Sequence, residues 1–97
     1  MKPYYMVSLV KNGLLGGGLT TDDLAVTYRT GKVTVPPAYR NLVLRYSEIE
    51  TASAARLFGL PTVTLSMRNG EEYRFAVFFG RTRLLDTLKA MGVETTL

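Results

Sequence analysis

Apolar and polar residues alternate in short runs along most of this chain, most clearly near its C-terminal end. Val63, Leu65 and Met67 alternate with Thr62, Thr64, Ser66 and Arg68; beyond Asn69-Gly70, Tyr73, Phe75, Val77 and Phe79 alternate with Glu72, Arg74, Ala76 and Phe78. A period of two marks a strand with one buried face, so the segment predicts a hairpin. Its register follows from placing both apolar rows on one face. A two-residue Asn69-Gly70 loop would set Leu65 opposite Arg74. A three-residue loop, Arg68-Asn69-Gly70, sets Leu65 opposite Tyr73 and Val63 opposite Phe75, and gives Gly70 the left-handed position of a bulged turn. The three-residue loop is the expected one. Phe78 is out of phase, beside Phe79 on the core row. The favoured explanation is a strand that twists with both faces covered; the other is an exposed contact patch.

The period then changes. Leu84, Leu85, Leu88 and Met91 form one stripe at helical spacing. Thr82 is the expected N-cap, and Gly92 sits where a left-handed C-cap residue belongs. A helix of about ten residues does not hold in water unaided, so its leucine stripe is expected to plug the sheet.

Earlier in the chain, Tyr4–Val10 predicts a first strand, Asn12-Gly13 a turn, and Leu14 to Leu19 a second strand interrupted by Gly16-Gly17-Gly18. Three glycines in a strand suggest a bulge, a sharp coil or the close approach of another backbone. A phosphate-cradling loop is the weaker reading, because neither a Lys-Ser/Thr pair nor a helical pattern follows. Leu24, Val26 and Tyr28 make a third strand. Val33–Val35 makes a short one before Pro36-Pro37, and Leu42–Tyr46 another. Residues 50–60 read as a strand with a loop leading into the hairpin. Six or seven short strands and one helix predict a mainly β domain, an antiparallel sandwich or partly open barrel capped by the C-terminal helix.

Composition narrows the chemistry. Ninety-seven residues fit a single domain over 1–97. There is no cysteine and no histidine, which removes disulfides, thiolate chemistry, the commonest metal ligand and the usual general base. The carboxylate pairs Asp22-Asp23 and Glu71-Glu72 fall at turns, where they cap backbone N–H groups and stay solvated. No enzyme activity and no cofactor or metal are expected. No apolar run approaches the ~20 residues of a membrane span. The N-terminal apolar stretch lacks a small-residue cleavage site, so a cytoplasmic location is the default expectation.

The order of strands and three short motifs resemble the pleckstrin-homology-like (PH-like) superfold, especially its GRAM-type and bacterial members. Leu19-Thr20-Thr21-Asp22-Asp23-Leu24-Ala25-Val26 resembles the strand–turn–strand corner of those families. Leu42–Ile49 resembles their apolar strand ending in a polar-acidic-Ile step, and Asn69-Gly70-Glu71-Glu72-Tyr73-Arg74-Phe75 their last hairpin. The resemblance spans nearly the whole chain and implies the fold. The chain departs from it in having no tryptophan for the closing helix, and in having one basic residue, Lys11, where phosphoinositide-binding members carry a basic cluster.

The net charge of +4 favours acidic partners slightly. Arg29, Lys32 and Arg40 flank the loop over 30–41, Arg74 lies on the polar face of the hairpin, and Arg81 and Arg83 stand at the helix start, where the helix dipole disfavours them. These six residues are the candidate partner-binding set. The competing reading is a solvated rim. Nucleic acid is disfavoured, because the tyrosines alternate with core positions instead of gathering on one exposed face. The reading is therefore a non-catalytic interaction module binding a protein partner or an anionic membrane surface. The alternatives are a self-associating domain that pairs through a strand edge, giving a homo-oligomer, and a small-molecule pocket beside Gly16–Gly18.

Overall fold

In the computed structural model, which describes residues 3–11, 13–31 and 37–96, the alternating runs become eight strands and the helical stripe one helix. The strands are β1 (Tyr4–Val10), β2 (Leu14–Thr21), β3 (Ala25–Arg29), β4 (Asn41–Arg45), β5 (Ile49–Leu57), β6 (Leu60–Met67), β7 (Glu72–Val77) and β8 (Glu94–Thr96); the helix α1 (Arg81–Ala90) lies between β7 and β8. They form one sheet in the order β4-β3-β2-β1-β7-β6-β5-β8, which is not closed. The mainly β class with one C-terminal helix holds. The expectation of six or seven strands, all antiparallel, is corrected by β8, which pairs parallel to β5 through Thr51–Glu94, Ala52–Thr95 and Ser53–Thr96.

The sheet is strongly coiled. The Tyr28 and Phe75 rings pack with centroids 5.5 Å apart, although their strands stand three positions apart, roughly 14 Å in a flat sheet. Tyr5, Val7, Leu9, Leu19, Val26, Leu65 and Phe75 line the enclosed face, and Leu84, Leu85 and Leu88 of α1 close it. The three-residue hairpin loop holds: Leu65 pairs with Tyr73 and Val63 with Phe75, the Met67 amide donates to Glu71 O at 2.8 Å, and Gly70 has φ +93°. Asp22 does cap its turn, accepting from the Leu24 and Ala25 amides at 2.8 and 2.9 Å.

The glycine run has a plain steric reason. On one face, a Cβ at Gly17 would lie 2.6 Å from Arg29 O and 2.9 Å from the Tyr28 ring; on the other, a Cβ at Gly18 would lie 2.5 Å from the Tyr4 ring. Neighbouring strands and rings pack directly on the backbone here, and the ladder with β1 runs through without a bulge.

Several expectations fail at element ends. Gly80, with φ +81°, is the N-cap in place of Thr82, because the turn out of β7 needs a left-handed residue. β7 stops at Val77, so Phe79 leaves the core row and is 77% exposed, and Phe78 is 38% exposed instead of covered. Leu24 stays in the turn before β3, exposed, and Met91 lies past the end of α1, also exposed. Residues 46–48 form a 3-10 turn joining β4 to β5. Lys32 and the short strand expected at Val33–Val35 lie outside the described residues.

Candidate functional site

Nine large apolar side chains are exposed among the described residues, and five of them, Tyr4, Met6, Phe58, Phe78 and Phe79, gather at one end of β1, β7 and the β5–β6 hairpin. Strand register puts them there. The Phe78 amide donates to Met6 O at 3.1 Å, extending the β1–β7 ladder by one rung. Met6 pairs with Gly18 and Gly18 with Arg29, so Arg29, Gly18, Met6 and Phe78 form one row across four strands on the outer face. The Tyr4 ring lies over Gly18. A shallow groove of about 600 Å³ follows this row, floored by Ser8 and Gly16–Gly18 and walled by Tyr4, Met6, Thr30 and Phe78; Arg29 is its only charged lining residue among the described ones. The space beside Gly16–Gly18 is thus an open, wide groove.

Phe58 stands at the far side of this end. Leu57 pairs with Leu60, so Phe58 and Gly59 alone make the turn, with φ +50° and +82°. Two positive φ values define the turn type that matches strand twist and favours Asn-Gly or Gly-Gly. A phenylalanine in the left-handed region costs on the order of 1–2 kcal/mol, and Phe58 is 97% exposed, with no contact that offsets it. Phe58 thus combines backbone strain with an exposed apolar side chain. Arg56 Nη1 donates to Gly59 O at 3.2 Å, which ties the Arg56 guanidinium to the backbone of this turn.

The six candidate residues have different fates. Arg29 lines the groove, its Nε donating to Asn41 Oδ1 at 3.1 Å. Arg40 is held beside Thr30, whose amide donates to Arg40 O at 3.0 Å. Arg74 is on the outer face of β7, donating to Thr64 Oγ1 at 3.4 Å, two rows away from Phe78. Arg81 is not free: it starts the stripe of Leu84, Leu85 and Leu88, is half-buried, and its Nη1 donates to Ala55 O at 2.8 Å. That contact anchors the helix start to the outer edge of β5. Arg83 is exposed on the first turn of α1. Thus Arg29, Arg81 and Arg83 come near the aromatic end, Arg74 does not, and Lys32 is outside the described residues. Tyr4, Met6, Arg56 and Phe58 are not among the residues the sequence points to; the one available signal is Leu57-Phe58-Gly59-Leu60, an apolar run broken by a glycine.

Two other concavities are smaller. One of about 360 Å³ is lined by Lys11, Tyr39, Leu42, Glu72 and Tyr73; the Lys11 ammonium lies 5.4 Å from the Tyr39 ring centre. The Tyr73 hydroxyl donates to Glu71 Oε2 at 2.5 Å, and this bond, with burial and the carboxylate charge, raises its pKa from 10.0 to about 12. The other, of about 460 Å³, lies between Leu24, Arg45, Tyr46, Arg68 and Met91. Burial raises the Tyr46 and Tyr28 pKa values, and both hydroxyls donate to backbone carbonyls, of Asp22 and Leu15. Among the described residues no three of Asp, Glu, His or Cys come together as metal ligands would, and no helix is long and apolar enough to cross a membrane.

No protein-family model matches the chain, and no curated protein matches it. Its architecture is similar to the crystal structure of the C-terminal domain of an unknown protein from Leishmania infantum, with a TM-score of 0.73, 12% sequence identity, and coverage of 92% of this chain and 80% of that one. At that identity the likeness is one of fold.

Proposed function

We propose that this chain is a non-catalytic interaction module of PH-like architecture that docks peripherally on an anionic membrane surface, through the end bearing Phe58, Phe78 and Phe79. The observation that carries the reading is Phe58, almost fully exposed and held in a left-handed turn position where asparagine or glycine would be easier. Aromatic rings at a hairpin tip suit the boundary between headgroups and acyl chains, where apolar area is buried without crossing the bilayer. Arg56 lies in the hairpin that carries Phe58, Arg81 and Arg83 stand in the first turn of α1 just after Phe79, and Arg29 shares the groove with Phe78. Each cation near an anionic surface contributes about 1 kcal/mol. Among the described residues no acidic side chain lines the groove beside them. The PH-like part of the reading is supported by the coiled antiparallel strands closed by one C-terminal helix, together with the motif resemblance. The non-catalytic part is supported by the absence of histidine and cysteine and by carboxylates engaged in turns.

Vesicle flotation tests it. The chain is expected to float with phosphatidylserine-containing vesicles at physiological salt, to be released as salt screens the arginines, and to ignore pure phosphatidylcholine. Recovery in the unbound fraction with both vesicle types would refute the reading.

A further inference from the structure

The sheet has two outer strands, and among the described residues only one of them is covered. The outer side of β5 is taken by β8 at Thr51–Ser53 and by the Arg81 guanidinium at Ala55 O. Among the described residues the outer side of β4 has no neighbouring strand. Its free groups follow from the ladder: the Thr30 amide donates to Arg40 O and the Tyr46 amide to Leu24 O, so the even-numbered residues of this stretch face β3. Asn41, Val43 and Arg45 therefore turn their N–H and C=O groups outward, an unpaired row of the kind to which an extended segment adds as a further strand. Their side chains are exposed as well, Val43 at 55%.

The charge around this row selects among occupants. Arg45 ends the strand, Arg68 lies across the adjoining cleft of about 460 Å³, and Arg29 is bonded to Asn41, against one carboxylate lining that cleft, Asp23. The cleft also holds Leu24 and Met91, two of the exposed apolar residues outside the aromatic end. We infer that the free edge of β4 binds an extended acidic segment of a partner protein, which adds as a ninth strand along Asn41–Arg45 and directs an apolar side chain into the Leu24–Met91 cleft. Backbone pairing supplies affinity; Val43 favours a β-branched residue opposite it, and Arg45 and Arg68 favour carboxylates. Two copies pairing edge to edge would instead bring like-charged surfaces together. This edge meets the aromatic groove at Arg29, but its backbone row and the Leu24–Met91 cleft lie apart from the phenylalanines, and the inference does not depend on membrane docking.

The test uses a short synthetic peptide alternating valine with glutamate and ending in leucine, the same peptide with lysine for glutamate, and the full chain labelled for amide NMR. The glutamate peptide is expected to shift and protect the amides of Asn41, Val43 and Arg45, and the lysine peptide to leave them unchanged. Val43→Pro removes an outward N–H and abolishes the binding, and Arg45→Glu weakens it roughly tenfold, as expected when a cross-strand charge pair becomes a like-charge pair; the second variant serves if the first does not fold. The inference is overturned if the peptide leaves β4 unchanged or protects β5 and β8 instead. Equal binding of the lysine peptide overturns it, as does concentration-dependent protection of β4 without peptide, which would mean a second copy.

Discussion

The two hairpins that share β6 solve the same turning problem with different residues. The β6–β7 turn uses Arg68-Asn69-Gly70, with the glycine at φ +93° and the Asn69 side chain accepting from the Glu71 amide at 2.9 Å. Every residue there suits the backbone it adopts. The β5–β6 turn at the other end of β6 puts a phenylalanine at φ +50° and leaves its ring in solvent. Local preference accounts for the first tip entirely and for the second only in Gly59. The difference separates a turn whose residues all suit its backbone from one whose leading residue is explained only by the proposed membrane docking.

This comparison can be broken or sharpened in steps. The largest effect is expected from Phe58→Asn. Losing a ring that buries in the membrane boundary removes about 1.5–3 kcal/mol, a ten- to hundredfold loss of vesicle affinity in a flotation titration, while thermal unfolding stays unchanged or rises. At the other tip, Gly70→Ala forces a Cβ into the left-handed region and is expected to lower stability by about 1–2 kcal/mol in denaturant titration, with vesicle affinity of the folded protein intact. Arg81 and Arg83 divide in the same way. Arg81→Ala breaks the charged hydrogen bond to Ala55 O and is expected to cost about 1–2 kcal/mol of stability, whereas Arg83→Ala stays within about 0.5 kcal/mol and shows only as weaker vesicle binding at low salt.

The smallest effect is a pH dependence at the β6–β7 hairpin. The Tyr73 pKa is raised to about 12 by its hydrogen bond to Glu71, so the folded state favours the protonated hydroxyl. The stability this adds is complete below the ordinary value of 10.0 and is lost as pH rises through about 12. Melting curves should show the wild type losing stability relative to Tyr73→Phe across that window, with no difference at neutral pH beyond the lost bond itself.

Much of the fold was legible because its signals are local. Two apolar rows and one glycine determine the β6–β7 register. The leucine stripe shows which face of α1 is buried, and the close approach at Gly17 is the kind of contact a glycine run suggests. What was not legible depends on distant partners. Glu94-Thr95-Thr96 is short and polar, and it becomes a strand only because α1 returns it beside β5. Gly80 displaces Thr82 as N-cap because the exit from β7 requires a left-handed residue, and the same exit exposes Phe79. The site was harder still. Its arginines are scattered in sequence, and residues 50–60 read as a strand with a loop leading into the hairpin, with nothing to single out Phe58. Only the Leu57–Leu60 pairing turns Phe58 outward.

The chain contains no tryptophan, which allows one direct measurement. Tryptophan is introduced singly at the two hairpin tips, as Phe58→Trp and Asn69→Trp, and emission is followed as phosphatidylserine-containing vesicles are added. The account predicts a blue shift for Phe58→Trp and none for Asn69→Trp, since only the first tip enters the apolar boundary. A shift at Asn69→Trp with none at Phe58→Trp would contradict it.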